Sequence, residues 1–247
     1  MAAPKNKLSK AAEARIANYQ AKSTLVEGRK AIRQRDNLRS GVVILVSLAI
    51  AVTAQLTYFH LGPGIPKPTP KPAAAPAASV AENRIWTGSM NVAGKPVDFE
   101  LYGDKAPKAV ANFVTLAKKG FFDTTGCHRI TTSGIFVLQC GDPAGNGTGG
   151  PGYNFGPIEN APKNNVYDGG VIAMARTADS ATSQGSQFFI VYGSSFIPAD
   201  KAGGYTVFGK VTKNLNSIRD LAKVGTADGS TDGKPKNPIQ LAAVTVK

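Results

Sequence analysis

The sequence predicts a mainly β domain, built as an antiparallel barrel with two helices and preceded by one transmembrane helix. Three observations support this prediction. From about residue 80 onward, short apolar runs alternate with turns rich in glycine and proline, a pattern typical of antiparallel sheets. Two segments of that region show helical periodicity instead. Before it, residues 41–61 form an apolar run without a charged side chain.

The two helical segments are predicted to follow Pro107 and to cover residues 214–224. Proline suits the first turn of a helix, and Gly120 and Gly225 follow the two segments as stop signals. The apolar stripes are Val110, Phe113, Val114 and Ala117 in the first helix and Leu215, Ile218, Leu221 and Ala222 in the second. Both helices should therefore pack on the sheet with one face.

The basic residues are concentrated near the N-terminus. The net charge is +13; residues 1–80 hold 12 Lys and Arg against 3 acidic residues, whereas residues 81–247 hold 17 against 13. A nucleic-acid-binding domain would carry its basic excess on the globular surface, so nucleic acid is not expected as its partner. Residues 1–40 are interpreted as a basic cytoplasmic tail near anionic lipid, with a nucleic-acid-binding arm as the alternative.

Residues 41–61, GVVILVSLAIAVTAQLTYFHL, are predicted to cross a membrane. About 20 residues at about 1.5 Å each span a hydrocarbon core of about 30 Å. The positive-inside rule puts the basic tail in the cytoplasm and the C-terminal domain outside the cell membrane. A cleaved signal peptide ending at Ala54 is the alternative, but its basic region would be about 40 residues long, which favours an uncleaved single-pass anchor.

Residues 62–80 are rich in proline and alanine and separate the anchor from the domain at 81–247. Because proline fixes φ and lacks a backbone donor, we expect a semi-rigid spacer that reaches about 50 Å. A docking motif for proline-binding domains is the alternative.

Six motifs in the domain carry a family resemblance. They are HRI with Arg129, FVLQCGDP, GTGGPGY, IAMAR, GSQFFI and YTVFGKV. Their order and spacing over residues 83–247 resemble the cyclophilin family of peptidyl-prolyl cis-trans isomerases, here as a bacterial membrane-anchored form. The resemblance implies a closed eight-stranded antiparallel barrel capped by two helices. It also implies binding of proline-containing polypeptides without a cofactor or a metal.

Prolyl isomerisation needs parts that this sequence contains. The barrier is about 20 kcal/mol because the amide has partial double-bond character. A positioned cation that donates hydrogen bonds to the twisted amide can lower it without covalent chemistry, while an apolar pocket holds the proline ring. Arg129 lies in an apolar run, an unusual place for a charge; an exposed arginine on a half-buried strand is the alternative interpretation.

The resemblance assigns site residues by position. Arg129 matches the catalytic arginine. The substrate-binding positions are Phe136, Val137 and Phe189 in the wall of the proline pocket, Gln139 and Gln187 as substrate-side amides, Ala175 and Arg176 as backbone partners of the peptide, and Ile197 and Tyr205 beside the pocket.

Several positions depart from the family. Phe196-Ile197 stands where a Trp-Leu pair is common, Tyr205 replaces a histidine, and Arg176 stands where asparagine is common. Losing the tryptophan removes a large aromatic contact and an N–H donor. The sequence therefore predicts that cyclosporin-type cyclic peptides bind only weakly.

Other chemistries have little support in the sequence. A histidine-based metal site or a Ser-His-Asp triad would rest on His128 alone, since His60 lies in the anchor. The glycine-rich segment 141–156 lacks the Gly-Lys-Ser/Thr ending of a phosphate-binding loop. We therefore expect an isomerase, or rotamase, that assists folding of exported proteins. A binding module or chaperone for proline-containing segments, with little required turnover, is the alternative.

Cys127 and Cys140 are the only cysteines. If Arg129 and Gln139 lie on neighbouring antiparallel strands, the two cysteines also lie close enough for a disulfide. A domain outside the cytoplasm permits that bond, and two free buried thiols are the alternative.

Overall fold

The computed structural model describes residues 10–60 and 73–247. The chain divides into two compact units, Met1–Pro70 and Lys71–Lys247, which we describe separately. The first nine residues and most of the proline-rich segment, residues 61–72, lie outside the described residues.

The first unit is a single helix, α1 (Lys10–His60). Its 51 residues correspond to about 75 Å of helix, so the basic segment and the apolar run share one continuous helix. No proline interrupts it, and its residues are mostly good helix formers. Apolar side chains such as Leu45 and Ile50 are exposed along its second half. Among the described residues, α1 is the helix that is both long enough and apolar enough to cross a membrane.

The second unit contains eleven strands and two helices among the described residues. The strands are β1 (Ile85–Val92), β2 (Lys95–Tyr102), β3 (Gly126–Thr131), β4 (Val137–Asp142), β5 (Val166–Tyr167), β6 (Val171–Met174), β7 (Phe188–Val191), β8 (Ser195–Phe196), β9 (Val207–Lys213), β10 (Asp232–Gly233) and β11 (Ile239–Val246). The helices are α2 (Pro107–Lys118) and α3 (Leu215–Lys223).

Eight of the strands close into an antiparallel barrel, which confirms the predicted architecture. Their order is β3-β11-β1-β2-β9-β6-β7-β4, and β4 pairs back with β3. The short strand β10 also pairs with β3, while β5 and β8 form a separate two-stranded sheet. A turn of 3-10 helix at Ala78–Ala81 precedes the barrel, and Ala81 is fully buried. The packed domain thus begins within the C-terminal end of the predicted linker.

Helix α2 begins at the predicted proline and buries the predicted stripe. All four of its stripe residues are buried, and the Glu159 carboxylate accepts hydrogen bonds from the backbone N–H groups of Lys108 and Ala109. An acidic group at this end of a helix satisfies free N–H groups and complements the helix dipole. Helix α3 buries Ile218 and Ala222, and its two leucines are partly buried against the same core.

Two apolar clusters occupy opposite faces of the strands. The larger fills the barrel, where the Phe113 ring of α2 lies 4.8–5.8 Å from four other phenylalanine rings. Since side chains alternate across a strand, Leu138 and Ile190 join this core, whereas Val137 and Phe189 point to the other face. The smaller cluster on that face provides the apolar floor of the candidate site.

Candidate active site

Arg129 is held in place by hydrogen bonds from two directions. It pairs with Gln139 across the β3–β4 ladder, and its Nη1–H donates to Gln139 Oε1 at 3.2 Å. Its Nε–H and an Nη2–H donate to the two carboxylate oxygens of Asp232, each at 2.7 Å. The arginine side chain remains 37 % exposed. The guanidinium is therefore fixed in orientation and still accessible.

Asp232 is not among the site residues predicted from the sequence. It lies 103 positions from Arg129, in the two-residue strand β10 within a polar stretch whose composition is typical of turns, so no local signal marks it. The hydrogen bonds from Arg129 lower the pKa of Asp232, and those bonds raise the pKa of Arg129. The two groups therefore remain an ion pair near neutral pH.

A chain of amide hydrogen bonds continues from Arg129. Gln139 Nε2–H donates to Gln187 Oε1 at 3.0 Å, and Gln187 Nε2–H donates to the backbone carbonyls of Gly147 and Gly149. The two glutamines are thus fixed by each other and by the glycine-rich loop. Such a connected network keeps side chains in one arrangement.

Beside this network lies a cavity of about 150 Å³ whose floor is built by apolar side chains and whose rim carries Arg129, Gln139 and Arg176. Its lining residues are Arg129, Ile135, Val137, Gln139, Ala175, Arg176, Phe189, Ile197 and Tyr205. The rings of Phe189 and Tyr205 meet edge to face with their centroids 5.5 Å apart. The cavity is smaller than the roughly 300–1,000 Å³ typical of drug-sized ligand sites, which suits a single small ring.

Phe136 does not line this cavity. It packs on the opposite face of the sheet, with its ring 5.9 Å from that of Tyr192, and the wall position is taken by Ile135. Residues two apart in an extended chain share a face, so Ile135 and Val137 point into the cavity together. The alternation of side chains could have identified Ile135 from the sequence.

The Arg176 side chain lines the cavity, but its guanidinium N–H groups are bound within the fold. That side chain is 1 % exposed and forms a bidentate ion pair with Asp200, with both N···O distances 2.8 Å. Its guanidinium also donates to the carbonyls of Gly203 and Gly204 and lies 4.6 Å from the Tyr205 ring centroid. Arg176 therefore fastens the loop that carries Tyr205.

The backbone N–H of Ala175 donates to the Gln187 carbonyl. This N–H is therefore already bonded within the domain. Gln187 itself lies in a neighbouring polar groove rather than in the apolar cavity. The groove has a volume of about 350 Å³ and shares Gln139, Ala175 and Arg176 with the cavity. The two depressions therefore form one continuous concave surface.

Cys127 and Cys140 face each other in the β3–β4 ladder and are joined by a disulfide. Both are buried in the larger core. The bond therefore links the strand that carries Arg129 to the strand that carries Gln139, on the face opposite the cavity.

His128 occupies a bulge in β3 next to Arg129. Its Nδ1 is buried and has no hydrogen-bond partner among the described residues. Burial lowers the pKa of His128, and the nearby Asp142 opposes this shift only in part. The described residues contain no group of three His, Cys, Asp or Glu side chains that could hold a metal ion.

Comparison with known proteins identifies the family of the domain. The family model described as "Cyclophilin type peptidyl-prolyl cis-trans isomerase/CLD" matches residues 87–246. The chain belongs to the cyclophilin family. This assignment agrees with the closed barrel and with the order of the sequence motifs.

Curated cyclophilins from bacteria are similar to this chain. "Probable peptidyl-prolyl cis-trans isomerase B" of Mycobacterium tuberculosis is 44 % identical over 156 residues, covering 58 % of this chain and 49 % of that protein. "Peptidyl-prolyl cis-trans isomerase B" of Bacillus subtilis is 40 % identical over 130 residues, covering 52 % of this chain and 85 % of that protein. The chain thus spans about half the length of the mycobacterial relatives it matches.

Solved cyclophilin structures share the fold. A cyclophilin-type isomerase of Cryptosporidium parvum has a TM-score of 0.55 and 28 % identity, covering 66 % of this chain and 98 % of that chain. A second structure of that protein, in the presence of the dipeptide Ala-Pro, has a TM-score of 0.54 at 28 % identity and covers 65 % and 98 %. The likeness covers about two thirds of this chain and nearly all of the solved one.

Proposed function

We propose that the domain is a peptidyl-prolyl cis-trans isomerase that acts on X–Pro bonds of polypeptides. The observation that carries this proposal is the oriented, accessible Arg129 guanidinium at the rim of a small apolar cavity. Family membership supports it, and the relative crystallised with Ala-Pro supports a proline-containing ligand.

In the proposed mechanism the cavity holds the proline ring while the carbonyl on its N-terminal side rotates. Val137, Phe189 and Tyr205 contact the ring, and the Arg129 N–H groups donate to the peptide as the amide twists. A hydrogen bond to the prolyl nitrogen draws its lone pair away from the carbonyl and lowers the double-bond character that creates the barrier. Stabilisation of this kind acts mainly on the transition state. No bond to the enzyme forms.

The activity can be measured with the full chain in detergent micelles, using a proline peptide whose cis form is followed over time. We expect Arg129→Ala to lower kcat/KM by about 100-fold, the usual effect of losing one such electrostatic donor. Arg84→Ala is the matched control, because Arg84 is also a partly exposed arginine paired with a carboxylate. An equal loss in both variants, or no loss in Arg129→Ala, would contradict the proposal.

We further propose that residues 41–61 anchor the chain in the cell membrane, with the basic tail in the cytoplasm and the domain outside. The length and exposed apolar surface of α1 support an anchor, and the positive-inside rule supports this orientation. The buried disulfide supports a domain outside the reducing cytoplasm. Clients would then be exported polypeptides that contain proline.

The orientation is tested by adding protease to intact cells that express the chain with a tag at each end. We expect the C-terminal tag to be lost while the N-terminal tag stays protected and membrane-bound. Protection of both tags would contradict the orientation, and release of an intact domain into the medium would indicate a cleaved signal peptide instead.

Cyclosporin-type cyclic peptides are proposed to bind weakly. Phe196 is 60 % exposed and lies outside the cavity, while its neighbour Ile197 is buried in the cavity wall. The edge of the pocket therefore offers a smaller aromatic surface than a tryptophan would, and no indole N–H donor.

A further inference from the structure

We propose that Asp232 is a positioning residue for isomerisation, which acts by fixing the plane of the Arg129 guanidinium against the cavity. The inference rests on the proposed role of Arg129. Its basis is the fork-to-fork pairing in which Nε–H and Nη2–H of Arg129 each meet one carboxylate oxygen at 2.7 Å. Two parallel bonds of this kind define an orientation as well as a distance.

The pairing with Asp232 leaves some N–H groups of the Arg129 guanidinium available for a peptide. Arginine has five N–H donors in a fixed planar arrangement. Asp232 accepts two of them and Gln139 accepts a third. One N–H remains on each terminal nitrogen, and the guanidinium cannot turn about its own axis without breaking both bonds to Asp232. The two free donors therefore keep a fixed orientation relative to the strand that carries Arg129.

The carboxylate is itself held by backbone structure. Asp232 lies in β10, which pairs with β3 so that Asp232 faces Thr131 and Gly233 faces Ile130. The Thr132 N–H of the segment after β3 also donates to the carbonyl of Thr231, the residue before Asp232, at 2.8 Å. Strand β3 also carries Arg129, so the Asp232 carboxylate and the Arg129 guanidinium project from two paired strands. The pairing of these strands fixes the distance between the two groups.

The contribution to stability should be small compared with the contribution to orientation. The two side chains are 37 % and 52 % exposed, and ion pairs in such surroundings contribute little to folding. A misplacement of a catalytic group by about 1 Å, in contrast, can lower a rate by about 100-fold. Removal of Asp232 should therefore affect turnover far more than folding.

The test compares full chains in detergent micelles by steady-state isomerisation and thermal unfolding. We expect Asp232→Ala to lower kcat by about 10-fold with little change in KM, since the loss is one of positioning. Asp232→Asn should lose less, because its amide oxygen still accepts one bond. Asp220→Ala is the control, as it removes another exposed acid with a basic partner, Lys223.

The decisive comparison is made in the Arg129→Ala background. If Asp232 acts through Arg129, adding Asp232→Ala there should cause no further loss of activity. A further loss of the same size, or wild-type kcat in both Asp232 variants, would overturn this inference while leaving the proposed function intact. A wild-type chain without isomerase activity would overturn both. Should Asp232→Ala unfold, the near-isosteric Asp232→Asn carries the same comparison.

Discussion

Arg129 lies between an ion pair and an apolar cavity, and its surroundings explain why a charge is tolerated at this point of the barrel. Its donors meet Asp232 and Gln139 on one side, and its exposed edge faces the cavity on the other. A charge placed beside apolar side chains is costly unless it is paired. Pairing with partial exposure keeps the guanidinium charged and available.

Single residues also show how far the sequence could predict the site. The motifs predict Arg129 and Gln139 as site residues, and the structure brings these two side chains together at the cavity. Asp232 was missed because its contact with Arg129 depends on the pairing of two distant strands, which the local sequence does not reveal. Phe136 was misassigned because the motif fixes the position in the chain but not the face of the strand.

We expect His128 to make folding stability depend on pH above the range in which carboxylates titrate. Burial lowers its pKa from the ordinary 6.5, so as the pH falls below about 7 the unfolded chain takes up a proton more readily than the folded domain does. Stability should therefore fall as the pH decreases. Melting temperatures of wild type and His128→Gln at pH 7, 6 and 5 measure this. An equally steep decrease in the variant would contradict the role of His128.

At the scale of elements, the sequence predicts helices and strands best where an apolar side-chain period extends over many residues. Helix α2 has four stripe residues in twelve positions, and its start and end carry their own signals. Strands β5, β8 and β10 have two residues each, too few for any alternation to be recognised. The strand that positions Asp232 belongs to this second group, so both the element and its role came from the structure.

The disulfide between β3 and β4 gives a prediction for these two strands. It closes a loop with a sequence separation of 13, for which a chain-entropy estimate is about 3 kcal/mol of stabilisation. We expect a reductant to lower the melting temperature of the purified chain, and activity to fall with it. Mass mapping without reductant should find the two cysteines linked. Two freely alkylated thiols would contradict this prediction.

At the scale of the whole molecule, the chain combines a helix long and apolar enough to cross a membrane with a barrel domain that carries the candidate site. All residues that line the cavity lie between positions 129 and 205. The apolar run and the basic tail were recognisable from composition alone. Their continuity as the single helix α1 was not, because the abrupt change from charged to apolar composition near residue 40 is also typical of a boundary between two segments.

The proposed chemistry is tested most directly by exchange NMR on an Ala-Pro-containing peptide at equilibrium, with binding measured in the same samples. We expect the wild-type chain to speed both directions of cis-trans exchange and to leave their ratio unchanged. Arg129→Ala should still bind the peptide, since the apolar cavity remains, while exchange slows by about 100-fold. Wild-type binding without faster exchange, or undiminished exchange in a folded Arg129→Ala variant, would contradict the mechanism.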